Sequence, residues 1–223
     1  MASHTVKAFE DDLNALEALV ADLGQCVVPA LDEALTALLE TDRDAARTVI
    51  ANDAQTDALT AQINSEVLRI TARWQPVADD LRKILGCERI AANLERVGDH
   101  AKNIAKRSLL LDEPITAPQV ALLKRLAESV AWQLQQVLAA LAGQDAELAQ
   151  AVWLKDTQAD ELHDDLFYHV LADMREGRGP IVNGVHVLFA AKGLERIGDH
   201  ATNIAEAVRF MVAGITSEPR PHA

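Results

Sequence analysis

The sequence predicts an all-α protein built from two tandem, pseudo-symmetric three-helix bundles, six helices in all. The 223-residue chain is poor in glycine, proline and aromatic residues, which favours helices over a β-sandwich or barrel. Apolar residues recur at three- and four-residue spacing along most of its length. Two nearly identical segments, LERVGDHAKNIAK at residues 94–106 and LERIGDHATNIAE at residues 194–206, indicate an internal duplication.

The first unit comprises residues 1–113. Asp42 is an N-cap candidate for the second helix, and this helix should end before Pro76, because the residue preceding a proline disfavours helical geometry. The first predicted helix carries the apolar series from Leu13 to Leu38. The second is predicted from Asp42 to Trp74, and the third from about Val77 to Leu110.

The second unit comprises residues 114–223. The segment DEPITAP, residues 112–118, breaks the helical pattern, and Thr116 with Gln119 has the spacing of a capping box at the start of the fourth helix. The fifth helix is predicted from the turn at residues 143–145 to REGRGP at residues 175–180, and the sixth from there to about Val212.

Composition excludes several classes of partner. The chain has 34 acidic and 21 basic residues, a formal net charge of −13, which repels nucleic acids and anionic lipids. No apolar run approaches the ~20 residues of a membrane span, and Cys26 and Cys87 have no disulfide or metal-type spacing. We therefore expect a cytoplasmic protein that meets membranes only through partners.

Four pairs of acidic residues, each with four-residue spacing, lie on single helix faces. Asp57 and Glu95 are equally far along the chain from Pro76, so folding the second helix onto the third should bring them level. Asp53 and Asp99 are likewise equally far from Pro76. In the second unit the acids of the two helices are equally far from the turn at residues 177–179. The pairs are Asp53 with Asp57, Glu95 with Asp99, Asp156 with Asp160, and Glu195 with Asp199.

This arrangement predicts two shallow acidic grooves on the outer surface, one in each unit. Carboxylates about 6 Å apart repel by roughly 3 kcal/mol at an effective dielectric constant of about 20, and a bound cation would remove this cost. Oxygen ligands suit hard divalent or trivalent ions such as Mg, Ca, Mn or Fe. The alternative is a set of solvated acids, since one like-charged pair costs only about 0.2–0.5 kcal/mol.

The residues next to these acids in the repeats say less about cation binding. His100 and His200 follow the aspartates directly and are rotated about 100° from them, so we do not assign them as ligands. Gly98 and Gly198 either allow close helix packing or open the acidic face. Lys106 occupies the position equivalent to Glu206, so the two grooves are expected to differ in composition.

These motifs, together with RWQPVADDLRKI at residues 73–84, resemble those of the PhoU family of phosphate-transport regulators over nearly the whole chain. The resemblance implies a helical, cytoplasmic, often dimeric adapter without a reaction of its own. It would restrain the phosphate-starvation response by linking the ATPase subunit of the phosphate ABC transporter to a sensor histidine kinase. Metal ions, of the Mg, Mn, Fe or Zn type, would bind Asp53, Asp57, Glu95, Asp99, Asp156, Asp160, Glu195 and Asp199.

Two other functions remain compatible with the residues. One is a phosphohydrolase that uses carboxylate-bound metal to orient a phosphate ester, although a shallow groove excludes little water. The other is a structural or metal-buffering helical bundle. The doubled motif and the absence of a nucleophile–base pattern in the sequence favour the regulatory adapter.

Overall fold

The structure, a computed structural model, describes the backbone of residues 2–216 and the side chains of residues 6–155 and 157–216. Within that backbone the chain forms seven helices and no strand, which confirms the all-α class. The helices are α1 (Ala2–Glu40), α2 (Arg43–Trp74), α3 (Ala78–Ser108), α4 (Ala117–Gly143), α5 (Ala146–Trp153), α6 (Asp156–Glu176) and α7 (Ile181–Ala213).

Two three-helix units are present, as the duplication predicts. Helices α1, α2 and α3 pack against one another, and α4 and α7 pack against each other and against α5 and α6. Helices α3 and α7 join the units through an extensive shared contact. The predicted boundary between residues 113 and 114 falls in the connection between α3 and α4.

The predicted fifth helix is divided into α5 and α6 by a turn at Leu154 and Lys155. The side chain of buried Gln133, on α4, donates from Nε2 to the carbonyl oxygen of Lys155 at 3.2 Å. This carbonyl thereby has a partner outside the helical ladder, which helps to stabilise the interruption. The two segments together fill the place of one helix in the second bundle.

The core follows the predicted apolar faces. The apolar residues of both repeats are almost completely buried along α3 and α7, so these two helices form the centre of the molecule. These residues are Ile90, Leu94, Val97, Ala101 and Ile104 in the first repeat, and Ala190, Leu194, Ile197, Ala201, Ile204 and Val208 in the second. No helix within residues 2–216 is long and apolar enough to cross a membrane.

The helix ends match the sequence signals in the first unit. Asp42 caps α2, since its Oδ1 accepts hydrogen bonds from the backbone amides of Asp44 and Ala45 at 2.9 and 3.0 Å. Helix α2 ends at Trp74, and Gln75 adopts a left-handed conformation with φ of 49°. The prediction from the pre-proline position is therefore confirmed.

The capping box predicted at the start of α4 is wrong. Thr116 is the N-cap residue, but its side chain makes no capping hydrogen bond. Gln119 instead donates from Nε2 to Oδ2 of buried Asp173 on α6, at 2.9 Å. A tertiary hydrogen bond to a buried carboxylate is stronger than the local one that the spacing suggests.

Asp173 also anchors the turn between α6 and α7. Its Oδ1 accepts a hydrogen bond from Nε of Arg178 at 2.8 Å. Asn183, near the start of α7, accepts from the backbone amide of Asp112 at 3.0 Å and donates to the carbonyl of Glu113 at 2.7 Å. These contacts fasten the inter-unit connection and the α6–α7 turn to one end of the second bundle.

Removal of the Asp173 charge should make the folding stability of the protein less dependent on pH. Hydrogen bonding from Arg178, with a smaller contribution from Gln119, holds the pKa of Asp173 below its usual value. The stabilisation is therefore present above the unfolded pKa of about 3.9 and is lost as pH falls towards the folded pKa. Asp173→Asn should lower the melting temperature at pH 7, and the difference should narrow below about pH 4.

Thermal unfolding followed by circular dichroism across this pH range measures the effect. Asp11→Asn, which removes an exposed carboxylate on α1, is the matched control and should follow the parent protein. A constant difference between the Asp173→Asn variant and the parent at all pH values would contradict the electrostatic explanation.

Candidate functional site

The first acidic groove is the face between α2 and α3 that carries Asp53, Asp57, Glu95 and Asp99. Asp57 is exposed and the other three are half-buried. Lys102 Nζ lies 2.5 Å from Asp53 Oδ2 and 2.8 Å from Asp99 Oδ1. One ammonium group therefore bridges the two helices, and Asp53 and Asp99 lie level as predicted.

Glu95 lies beside this bridge in a less favourable environment. Burial raises its pKa, and the charges of Asp99 and Asp57 raise it further, while Arg96 acts in the opposite direction. Arg96 is largely exposed and approaches Glu95 Oε2 to 3.4 Å and Asp99 Oδ2 to 3.5 Å. The first groove thus combines crowded carboxylates with one bridging lysine and one peripheral arginine.

The second acidic groove is the corresponding face of α6 and α7, with Asp156, Asp160, Glu195 and Asp199. The side chain of Asp156 lies outside the described residues; Asp160 is exposed, and Glu195 and Asp199 are half-buried. Lys192 Nζ donates to Glu195 Oε1 at 2.6 Å. The other oxygen, Oε2, is buried and accepts no hydrogen bond.

A close helix contact beside each groove is made at a glycine. A Cβ atom on Gly98 would lie 3.1 Å from Thr56 Cγ2, and one on Gly198 would lie 3.0 Å from Gln133 Oε1 and 3.5 Å from Ala159 Cβ. Close packing is therefore the explanation of these glycines. Thr56 stands between the paired acids of α2, so its contact with Gly98 accompanies the approach of Asp53 and Asp99 across the first groove. Ala159 holds the equivalent place between the acids of α6.

The carboxylate oxygens of the two grooves meet the needs of a metal ion only in part. Carboxylate oxygens suit hard cations, and Glu195 Oε2 offers a buried acceptor in the second groove. In the first groove the carboxylates of Asp53 and Asp99 already bind Lys102. Among the described side chains, no group of three or more His, Cys, Asp and Glu residues has an arrangement that could hold a metal.

The two repeat histidines contact each other between α3 and α7. The rings of His100 and His200 are stacked with centroids 5.6 Å apart, and His200 Nδ1 lies 2.9 Å from Asn93 Oδ1. Burial lowers the pKa of both imidazoles. This stacked pair belongs to the contact between the two units.

Lys102 is the groove residue that the sequence reasoning missed. Two signals pointed to it: a lysine three residues after Asp99 lies on the same helix face, and Lys102 aligns with Thr202 at one of the three differences between the repeats. Helical spacing does not show that the side chain of Lys102 reaches Asp53 on the neighbouring helix.

Two tandem three-helix units with carboxylates on matching faces define a class of duplicated helical-bundle proteins. The family model described as the PhoU domain matches residues 20–108 and 123–208. The chain belongs to the PhoU family.

Individual relatives resemble the chain over nearly its full length. A phosphate-specific transport system accessory protein PhoU homolog of Zymomonas mobilis is 40% identical over 211 residues, 95% of this chain and 89% of that protein. Its counterpart in Caulobacter vibrioides is 38% identical over 217 residues, 96% of this chain and 94% of that protein.

Solved structures agree with this assignment. The crystal structure of PhoU from Pseudomonas aeruginosa superposes with a TM-score of 0.89 at 32% identity, covering 93% of this chain and 100% of that one. The phosphate transport system regulatory protein PhoU from Streptococcus pneumoniae gives 0.87 at 28% identity, covering 95% and 100%.

Filling the glycine contact of the first groove should destabilise the protein. Gly98→Leu places a side chain where even a Cβ would be in tight contact with Thr56, and overpacking of this kind costs about 1–3 kcal/mol. Urea unfolding measures the free energy. Gly143→Leu, at an exposed position with nothing closer than 3.9 Å to the new Cβ, is the control. Equal unfolding free energies for the two variants would contradict the packing explanation.

Proposed function

We propose that the chain is an accessory regulator of phosphate transport that restrains the phosphate-starvation response. The observation that carries this proposal is the PhoU fold, with a family match in each unit and an alignment over 93% of the chain with PhoU of P. aeruginosa. Relatives of similar length are named accessory proteins of the phosphate-specific transport system. The chain would act in the cytoplasm, as a homodimer, and reach the membrane through its partners.

In this proposal the protein is an adapter between the ATPase subunit of the transporter and a sensor histidine kinase. Its formal charge of −13 is unsuited to nucleic acid, whereas α6 presents apolar side chains suited to a protein partner. Phe167, Tyr168 and Leu171 are exposed there, and the two aromatic rings meet edge to face with centroids 5.7 Å apart. Exposed aromatic clusters are typical of the centres of protein interfaces.

The metal-binding part of the proposal assigns divalent or trivalent ions to the carboxylates of the two acidic grooves. A bound cation would offset the repulsion that the close helix contacts impose. When bound, the ion would supply charge neutralisation and hold the facing helices together. The proposed ligands are Asp53, Asp57, Glu95 and Asp99 in the first groove, and Asp156, Asp160, Glu195 and Asp199 in the second.

We propose no enzymatic activity. A phosphohydrolase requires a cationic group or nucleophile directed at the phosphate ester. Lys102 is engaged by two aspartates, and burial raises the pKa of the Cys87 thiol to about 12, which suppresses the reactive thiolate. These features favour an adapter over the hydrolase alternative.

A deletion strain tests the regulatory role. Cells that lack the gene should express phosphate-starvation genes in phosphate-rich medium, and the intact gene should restore repression. A reporter assay in high and low phosphate measures this response. Normal repression in the deletion strain would contradict the proposal.

Capture experiments test the adapter role and the apolar surface of α6. The purified chain should retain the transporter ATPase subunit or the cytoplasmic part of the kinase, and Tyr168→Ala should weaken this binding about tenfold. Leu68→Ala removes a side chain of similar exposure from α2 and serves as the control. Failure to capture either partner would contradict the adapter role, and equal effects of the two substitutions would exclude this surface.

A further inference from the structure

We infer that the surface along the contact of α3 and α7 is a docking site for an acidic amphipathic helix of a partner protein. This central surface lies on different helices from the apolar side chains of α6 that are proposed to bind a partner. The inference does not depend on the proposed function, because it rests on the charges and contacts of the two central helices.

Two stripes of side chains, one on each helix, form the central surface. Residues three or four apart share a helix face, and the stripe of α3 reads Arg, Asn, Arg, His, Asn, Arg at residues 89, 93, 96, 100, 103 and 107. The stripe of α7 runs at the same spacing from Phe189 to Phe210 and includes Arg196 and His200. Neither stripe contains an acidic residue, although the chain has a formal net charge of −13. The central surface is therefore locally basic.

The contacts between the stripes show that they run antiparallel and face the same side. At both ends an arginine of α3 lies over a phenylalanine ring of α7, Arg89 over Phe210 at 4.8 Å and Arg107 over Phe189 at 4.4 Å. The stacked histidine pair lies between these ends. An arginine that stacks on a ring keeps its N–H groups available to carboxylates. The 18 residues from Arg89 to Arg107 span about 27 Å of helix.

The central surface is open to a partner. The side chain of Arg96 is 62% exposed, and Arg89 and Arg196 are also exposed. At one end Phe189 is 55% exposed, and so is about half of Val182, which lies seven residues earlier on the same face. Two packed helices leave a groove between them that accepts the side chains of a third helix. Cations in the middle and an apolar end suit an amphipathic helix.

The acids beside the central surface restrict the partner further. Asp99 Oδ2 lies 3.5 Å from Nη1 of Arg96, and Asp199 follows Arg196 at the same three-residue spacing. A broad polyanion such as nucleic acid would meet these acids, and a second copy of the surface would place arginine against arginine. A helix with acids along its middle stripe and bases on both flanks complements this pattern of charge.

Fluorescence anisotropy with two designed helical peptides and the full-length protein tests the inference. Both peptides have about 20 residues, equal numbers of Glu and Lys, and Leu near each end. The first has Glu along its middle stripe and Lys on the flanks, and the second has these positions exchanged. The first should bind about tenfold more tightly at low salt, and the difference should shrink as salt screens the charges.

Variants locate the binding. Arg196→Gln should weaken binding of the first peptide about fivefold, and Phe189→Ala should weaken it about threefold by removing an apolar contact. Arg47→Gln removes an exposed arginine from α2 and should bind like the parent protein. Thermal melting of each variant checks that the fold is intact.

Equal binding of the two peptides, binding of neither, or equal effects of Arg196→Gln and Arg47→Gln would overturn the inference. Tripolyphosphate that binds more tightly than the first peptide and displaces it would overturn it as well, by making the surface a phosphate site. Sedimentation velocity examines a second copy of the chain as the occupant. A changed oligomeric state in the Arg196→Gln variant, with unaltered peptide binding, would assign the surface to self-association and overturn the inference.

Discussion

The structure depends on a close approach of helices that places like charges opposite each other. A Cβ on Gly98 would lie 3.1 Å from Thr56 Cγ2, and one on Gly198 would lie 3.0 Å from Gln133 Oε1 on α4 and 3.5 Å, an ordinary contact, from Ala159 Cβ on α6. Because acidic residues flank these contacts on both helices, good packing and carboxylate crowding arise from the same geometry. Each groove therefore gains stability from any cation that binds between the helices, and packing and cation binding are energetically linked.

In the first unit Lys102 meets this requirement, since its ammonium group contacts both Asp53 and Asp99. A lysine in the chain is present at every concentration of free metal, so the contact between α2 and α3 is neutralised as soon as the unit folds. A cation taken from solution, as in the proposed function, would stabilise a groove by mass action and so only at sufficient free concentration. The two repeated segments share the glycine and differ at this position, which is Lys102 in the first and Thr202 in the second.

Most of the fold could be predicted from the sequence because it follows from local periodicity. The burial of Val97 and Ile197 and the alignment of Asp53 with Asp99 follow from the fixed geometry of an α-helix. The exceptions involve contacts between distant segments. Gln119 bonds to Asp173 instead of capping its own helix, and Gln133 binds the carbonyl at the turn between α5 and α6. The bridge by Lys102 depends on the rotamers of a long side chain, which helical spacing does not determine.

The apolar surface proposed to bind a partner lies on the same helix as the acids of the second groove. Helix α6 carries Asp160 at one end and exposed Phe167, Tyr168 and Leu171 further along. The acidic groove and the apolar surface therefore share one helix, which packs against α4 and α7. Under the proposed function, a partner bound to this surface would lie next to the acids of the second groove, so substitutions in that groove would be felt at the interface through α6.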